Sequence, residues 1–117
     1  MAKIRFPGSN MAMIAGRINA SAGTDAVLTD NDGAATLTRG GTGDYTVTFV
    51  DNFNAAPVVT CAVVDATFST LAEYSMVIQA VATSSVQFNV VLNATNATVT
   101  ALADMDFHFM VVGSRER

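Results

Sequence analysis

GTGDYTVTFVDNFNAAPVVTCAVV, residues 41–64, holds the pattern that decides the fold. Within it Tyr45, Val47 and Phe49 alternate with Thr46, Thr48 and Val50. Successive side chains of a strand point to opposite faces, so this period of two gathers the large apolar groups on one side of a half-buried strand. Phe53 and Pro57 close the loop that follows, and residues 58–64 form a continuous apolar run rich in β-branched side chains. A run without alternation suits a strand covered on both faces.

The same signals recur on either side. Asn31-Asp32-Gly33 and Gly40-Gly41-Thr42-Gly43 are turn sequences around a short strand at residues 34–38. Residues 11–19 mix apolar and polar positions as strands do, and SAGTD after them reads as a loop. Residues 75–81 and 85–92 pair around Ala82-Thr83-Ser84, with Val86, Phe88, Val90 and Leu92 on one face. The last strand, residues 105–112, sets Phe107, Phe109 and Val111 against Asp106, His108 and Met110. STLAEYSM has room for one helical turn, too short to hold a helix alone.

Strands at roughly 8–14-residue spacing, rich in Thr and Val and without helical periodicity, predict an all-β fold. Its expected form is an antiparallel β-sandwich or jelly roll of about 7–8 strands. The 117 residues suffice for one core, since two cores from this length would each bury too little surface. Residues 1–10, where Pro7-Gly8 and Ser9-Asn10 follow Phe6, read as an extended N-terminal arm, and residues 11–117 as the single domain.

Half of the residues are hydrophobic and 14% are charged, against roughly 25% charged in an average soluble domain. A small domain cannot bury that much apolar surface alone, so part of the exterior is expected to face protein in a symmetric homo-oligomer. The net charge of −4 argues against nucleic acid, whose recognition needs a basic face. Lys3, Arg5, Arg115 and Arg117 stand at the two ends, with Arg17 and Arg39 between them. Terminal charge either solvates frayed ends or anchors the chain on an acidic neighbour. In the second case Lys3, Arg5, Phe6, Arg115 and Arg117 are the partner-binding residues. No apolar stretch reaches membrane-spanning or signal-peptide length, and a soluble protein without an export signal is expected.

Groups able to do chemistry are few. Asp104, Asp106 and His108 share one strand face, but at intervals of about 6.5–7 Å, which is long for a shared metal; a polar edge is the better account. Cys61 excludes an intrachain disulfide, and with His108 it could make a thiol and its base only through spatial contact. Cys61 otherwise shares a face with Val59 and Val63 as a small core residue. Asp30-Asn31-Asp32-Gly33 lacks the glycine and glutamate placement of a calcium loop and reads as a tight turn. Asn19, Asn93 and Asn96 open glycosylation triplets, which matter only in a secreted chain. RGGTGD leads into a strand and so makes no phosphate cradle. Tyr45 and Tyr74 are the two tyrosines available to stack on a sugar. No catalytic residue, cofactor or metal is expected.

GTGDYTVTF at 41–49, FNAAPVV at 53–59, the two central strands and DFHFMVVG at 106–113 together resemble the small β-sandwich modules of tailed-bacteriophage virions. These include head decoration or cement proteins and tail-fibre tip domains. The resemblance runs from about Gly41 to Gly113. It extends loosely to H-type lectins, with Phe107 and Phe109 where a tryptophan stands in those proteins. It implies a homotrimer, a capsid-surface location and the major capsid protein or another virion protein as partner. A tail-fibre tip or a lectin-like receptor- or glycan-binding module is the alternative it implies. A fibre tip follows a long shaft, which the arm of residues 1–10 does not supply, so the decoration protein is the expectation.

Overall fold

A computed structural model of the chain describes residues 3–5, 10–20, 26–31, 33–64, 72–94 and 101–115. These form β1 (Lys3–Arg5), β2 (Met11–Asn19), β3 (Val27–Thr29), β4 (Ala35–Gly41), β5 (Asp44–Phe49), β6 (Val58–Val63), β7 (Ala72–Val81), β8 (Ser85–Ala94), β9 (Ala101–Leu102) and β10 (Phe107–Ser114). The strands make two sheets with every pairing antiparallel. Sheet A runs β1-β2-β10-β6 with β3 also on β2, and sheet B runs β4-β5-β8-β7 with β9 also on β8. The fold is an antiparallel β-sandwich, as the strand pattern predicts.

The inner faces follow the alternation. Tyr45, Val47 and Phe49 of β5 and Val86, Phe88 and Val90 of β8 meet Phe107, Phe109 and Val111 of β10 and Ile14 and Ile18 of β2, all buried. A fully buried side chain of this kind contributes roughly 1.5–3 kcal/mol. The rings form a connected series: Phe107 lies 5.6 Å from Tyr45 and 5.3 Å from Phe88, and Phe88 lies 5.6 Å from Phe109. Gly16 stands opposite Phe109 in the register because a Cβ there would come within 2.8 Å of that ring.

One expectation changes in the structure, and two segments gain definition. β6 is covered on one face only: it is an edge strand, Val59, Cys61 and Val63 are half-buried, and Val58 is 71% exposed. An apolar run shows that both faces lack charge, but not whether a neighbour covers them. Within the N-terminal arm, Lys3–Arg5 pairs with β2 as a short edge strand. In STLAEYSM the chain is already a strand from Ala72 onward, paired with β8.

The outer faces differ sharply. On sheet B, Thr36 and Thr38 stand opposite Thr48 and Thr46, which in turn meet Ser85 and Gln87. This is the polar exterior expected of a sandwich. On sheet A, Val112 lies between Met13 and Val58, Met110 between Ala15 and Thr60, and His108 between Arg17 and Ala62. Most of this exterior is apolar.

Candidate functional site

Among the described residues, a dense group of polar contacts gathers on Asp104, in the segment joining β9 to β10. A two-residue loop, Thr42-Gly43, connects β4 to β5, and Gly43 takes a left-handed φ of 68° that suits such a hairpin. This turns the Gly43 amide onto Asp104 Oδ1 at 2.9 Å. Arg39 donates through Nη2 to Oδ2 at 2.8 Å and through Nε to Oδ1 at 3.4 Å, and the Tyr45 hydroxyl donates to the same Oδ1. The Arg39 hydrogen bond, helped by those of Tyr45 and Gly43, holds the Asp104 carboxyl down at about 2. Burial first, and the bond to Asp104 second, raise the Tyr45 hydroxyl well above its ordinary value. A carboxylate so engaged and so weakly basic is a poor general base. Its role is to tie the β4–β5 hairpin to the last strand.

Gly43 tests that role. A Cβ at this position would lie 2.7 Å from the Ala103 backbone nitrogen and 2.8 Å from its oxygen, on a φ that other residues avoid. Gly43→Ala is expected to cost about 2 kcal/mol or more, seen as a lower urea midpoint with an unchanged slope. An unaltered midpoint means that the hairpin does not seat against Ala103.

The Asp104, Asp106 and His108 side chains do not converge. Asp104 and Asp106 precede β10, so strand alternation does not govern them. Asp106 accepts the Ala20 amide at 2.8 Å, while His108 faces outward from sheet A and its Nε2 accepts from Arg17 Nε at 3.1 Å. Among the described residues no group of His, Cys, Asp or Glu could hold a metal ion. Cys61 and His108 sit on opposite faces of sheet A, since Cys61 pairs with inward Phe109 while His108 pairs with Ala62. No thiol–imidazole pair forms, and burial pushes the Cys61 thiol up. Two shallow hollows of about 280 and 240 Å³ flank His108, one toward Thr60 and Ala62, the other toward Ala15 and Asp30. The Asp30 turn closes by hydrogen bonds from Ala34 N to Asn31 O at 3.0 Å and from Asn31 Nδ2 to Ala35 O at 2.6 Å. Tyr45 is buried, so the pair of tyrosines cannot form an exposed stacking platform.

Of the residues expected to meet a partner, Lys3 and Arg5 lie in β1, and Phe6 and Arg117 fall outside the described residues. Arg115 turns inward. It is 5% exposed, donates through Nε to Asn52 O at 3.3 Å and through Nη2 to Asp51 O, and stacks its guanidinium 4.5 Å from the Phe53 ring centre. Its amide also donates to Asn10 O at 2.7 Å. Arg115 therefore clamps the loop after β5 onto the last strand, a role that terminal position did not reveal. The Asp104 cluster was missed for a similar reason, as its members are about 60 residues apart. One signal pointed to it: a buried tyrosine needs a hydroxyl partner. Comparison with protein-family models, curated proteins and solved structures finds no match to the chain.

Proposed function

We propose that the chain is a non-enzymatic structural protein of a bacteriophage virion, a capsid decoration or cement protein that assembles as a homotrimer on the head lattice. The observation that carries this is the apolar exterior of sheet A, where Met13, Ala15, Met110, Val112 and Val58 occupy positions a solitary sandwich fills with polar groups. The resemblance of residues 41–113 to virion β-sandwich modules supports the same role. Two of the polar groups serve the fold: Asp104 holds a hairpin and Arg115 a loop.

Adhesion needs no catalytic group. A stable contact takes roughly 800 Å² from each partner, about an eighth of the 6538 Å² that one copy exposes. Modest contacts repeated over a lattice hold a shell firmly. Lys3, Arg5, Phe6 and Arg117 are the proposed anchors to the major capsid protein, with Arg115 holding the C-terminal strand in place.

Light scattering on the purified protein is expected to give a mass near three chains. Binding to particles stripped of this protein is expected to fail after deletion of residues 1–10. A monomer at micromolar concentration that ignores such particles removes the proposal. A second reading, a tail-fibre tip or glycan-binding module, draws on the hydroxyl- and amide-bearing exterior of sheet B around Thr46 and Gln87. Glycan-array signal lost in Gln87→Ala would favour it.

A further inference from the structure

We propose that the edge of β6 that no described strand pairs is a second self-association surface, where β6 of one copy pairs antiparallel with β6 of a second copy about a two-fold axis. The inference rests on the proposed assembly through sheet A and adds a contact by which trimers join one another.

The backbone supplies the first argument. Val64 N donates to Asp106 O at 2.8 Å, and on the other side of the same strand Arg115 N donates to Asn10 O at 2.7 Å. Antiparallel ladders alternate hydrogen-bonded and non-bonded pairs. With Val63 opposite Phe107 and Ala62 opposite His108, Val58, Thr60 and Ala62 direct their N–H and C=O groups to β10. Val59, Cys61 and Val63 direct theirs away from it. No backbone hydrogen bond joins those three amides to another described residue. They form a row of donors and acceptors ready for another strand.

Edges are normally guarded against such pairing by charge, proline, bulges or shortness. β1 carries Lys3 and Arg5, β3 has three residues, β4 carries Arg39 and an irregular register after it, and β7 has a register shift between Ile78 and Ala80. β6 has none of these devices: its six residues are uncharged, free of proline and in uninterrupted register with β10. Apolar side chains of the neighbouring strand β7 are also partly exposed beside it. Ile78 and Val81 of β7 pair with the buried Phe88 and Val86, and so face inward, yet each remains 37% exposed.

A second copy is the occupant this edge fits. An antiparallel strand paired with itself about a two-fold matches donors to acceptors without further design, and the contact is isologous. Copies with a net charge of −4 repel each other over most of their surface, but the uncharged β6 lets them meet without opposing like charges. A threefold contact through sheet A together with a two-fold contact through β6 produces a net of joined trimers.

Sedimentation velocity over a concentration series tests the assignment, with amide hydrogen exchange as a second readout. Wild-type protein is expected to pass from three chains to six and above. The Val59, Cys61 and Val63 amides become protected as it does. Val63→Pro, which removes one outward amide of β6 and no bond to β10, is expected to weaken the step beyond three chains about tenfold or more, leaving intact the trimer, whose contact lies on the outer face of sheet A. Val59→Pro removes one outward amide and no bond to β10, and is expected to act alike. Trimers that never join, or joining unaffected by both variants, overturn the edge assignment while leaving the trimer standing. A monomer at every concentration overturns the assembly itself.

Discussion

Phe107→Ala is expected to destabilise the protein by about 3–5 kcal/mol, the range for removing a large aromatic from a packed core. Phe107 is fully buried, and its ring links Tyr45 of sheet B to Phe88 at centroid distances of 5.6 and 5.3 Å. Its removal takes away apolar area, two ring contacts and the filling between the sheets, and neighbouring strands can close the gap only partly because each is pinned by its ladder. For a domain of this size the melting temperature should fall by roughly 15–25 °C. Thermal unfolding followed by circular dichroism reads the change directly. A fall of less than about 5 °C would place Phe107 outside the core.

The second large effect comes from charge. Asp104→Ala leaves the Tyr45 hydroxyl and the Gly43 amide without their acceptor and Arg39 without its counter-ion. An expected loss of about 2–3 kcal/mol at pH 7 reflects these stranded groups more than the worth of the ion pair itself. The effect has a pH signature. The hydrogen bond from Arg39 holds Asp104 at about 2 in the folded chain, below the ordinary carboxyl value of 3.8. The unfolded chain therefore binds its proton first as pH falls. The stability contributed by ionised Asp104 is complete above about pH 4 and is lost as pH drops through about 2. The gap between wild type and Asp104→Ala should narrow by about 1–2 kcal/mol between pH 6 and pH 2, allowing for partial solvent screening. A gap constant over that range would mean that the carboxylate's charge is not what holds the hairpin.

Strand alternation was legible wherever one face of a strand is buried and the other is wet. Tyr45, Val47 and Phe49, and likewise Phe107, Phe109 and Val111, could be assigned to the core because burial selects side chains residue by residue. The β7–β8 hairpin was legible for a related reason: its turn and its two apolar faces are local. β6 was not, since a uniformly apolar strand reads the same at the centre of a sheet and at its edge. Asp104 and Arg115 were read by position, one as part of a strand face and one as a charged terminus. Their actual partners, Arg39 and Tyr45 for the first and Asp51, Asn52 and Phe53 for the second, are remote in the chain.

The candidate surfaces divide along the same line. Scarcity of charge already implied that some exterior would be apolar, because composition limits how much polar surface is available. Composition does not say which exterior. Only the pairing of β2, β10 and β6 brings Met13, Met110, Val112 and Val58 onto one outer face.

From its order of residues alone, this chain determined that it would form half-buried antiparallel strands in two layers, because a period of two needs nothing beyond neighbouring residues. Tertiary structure alone decided that β6 would end a sheet, that one exterior would be apolar, and that Asp104 would bind a hairpin about 60 residues away. Those outcomes depend on which strands become neighbours, a long-range choice set by the packing of the whole core rather than by any local pattern.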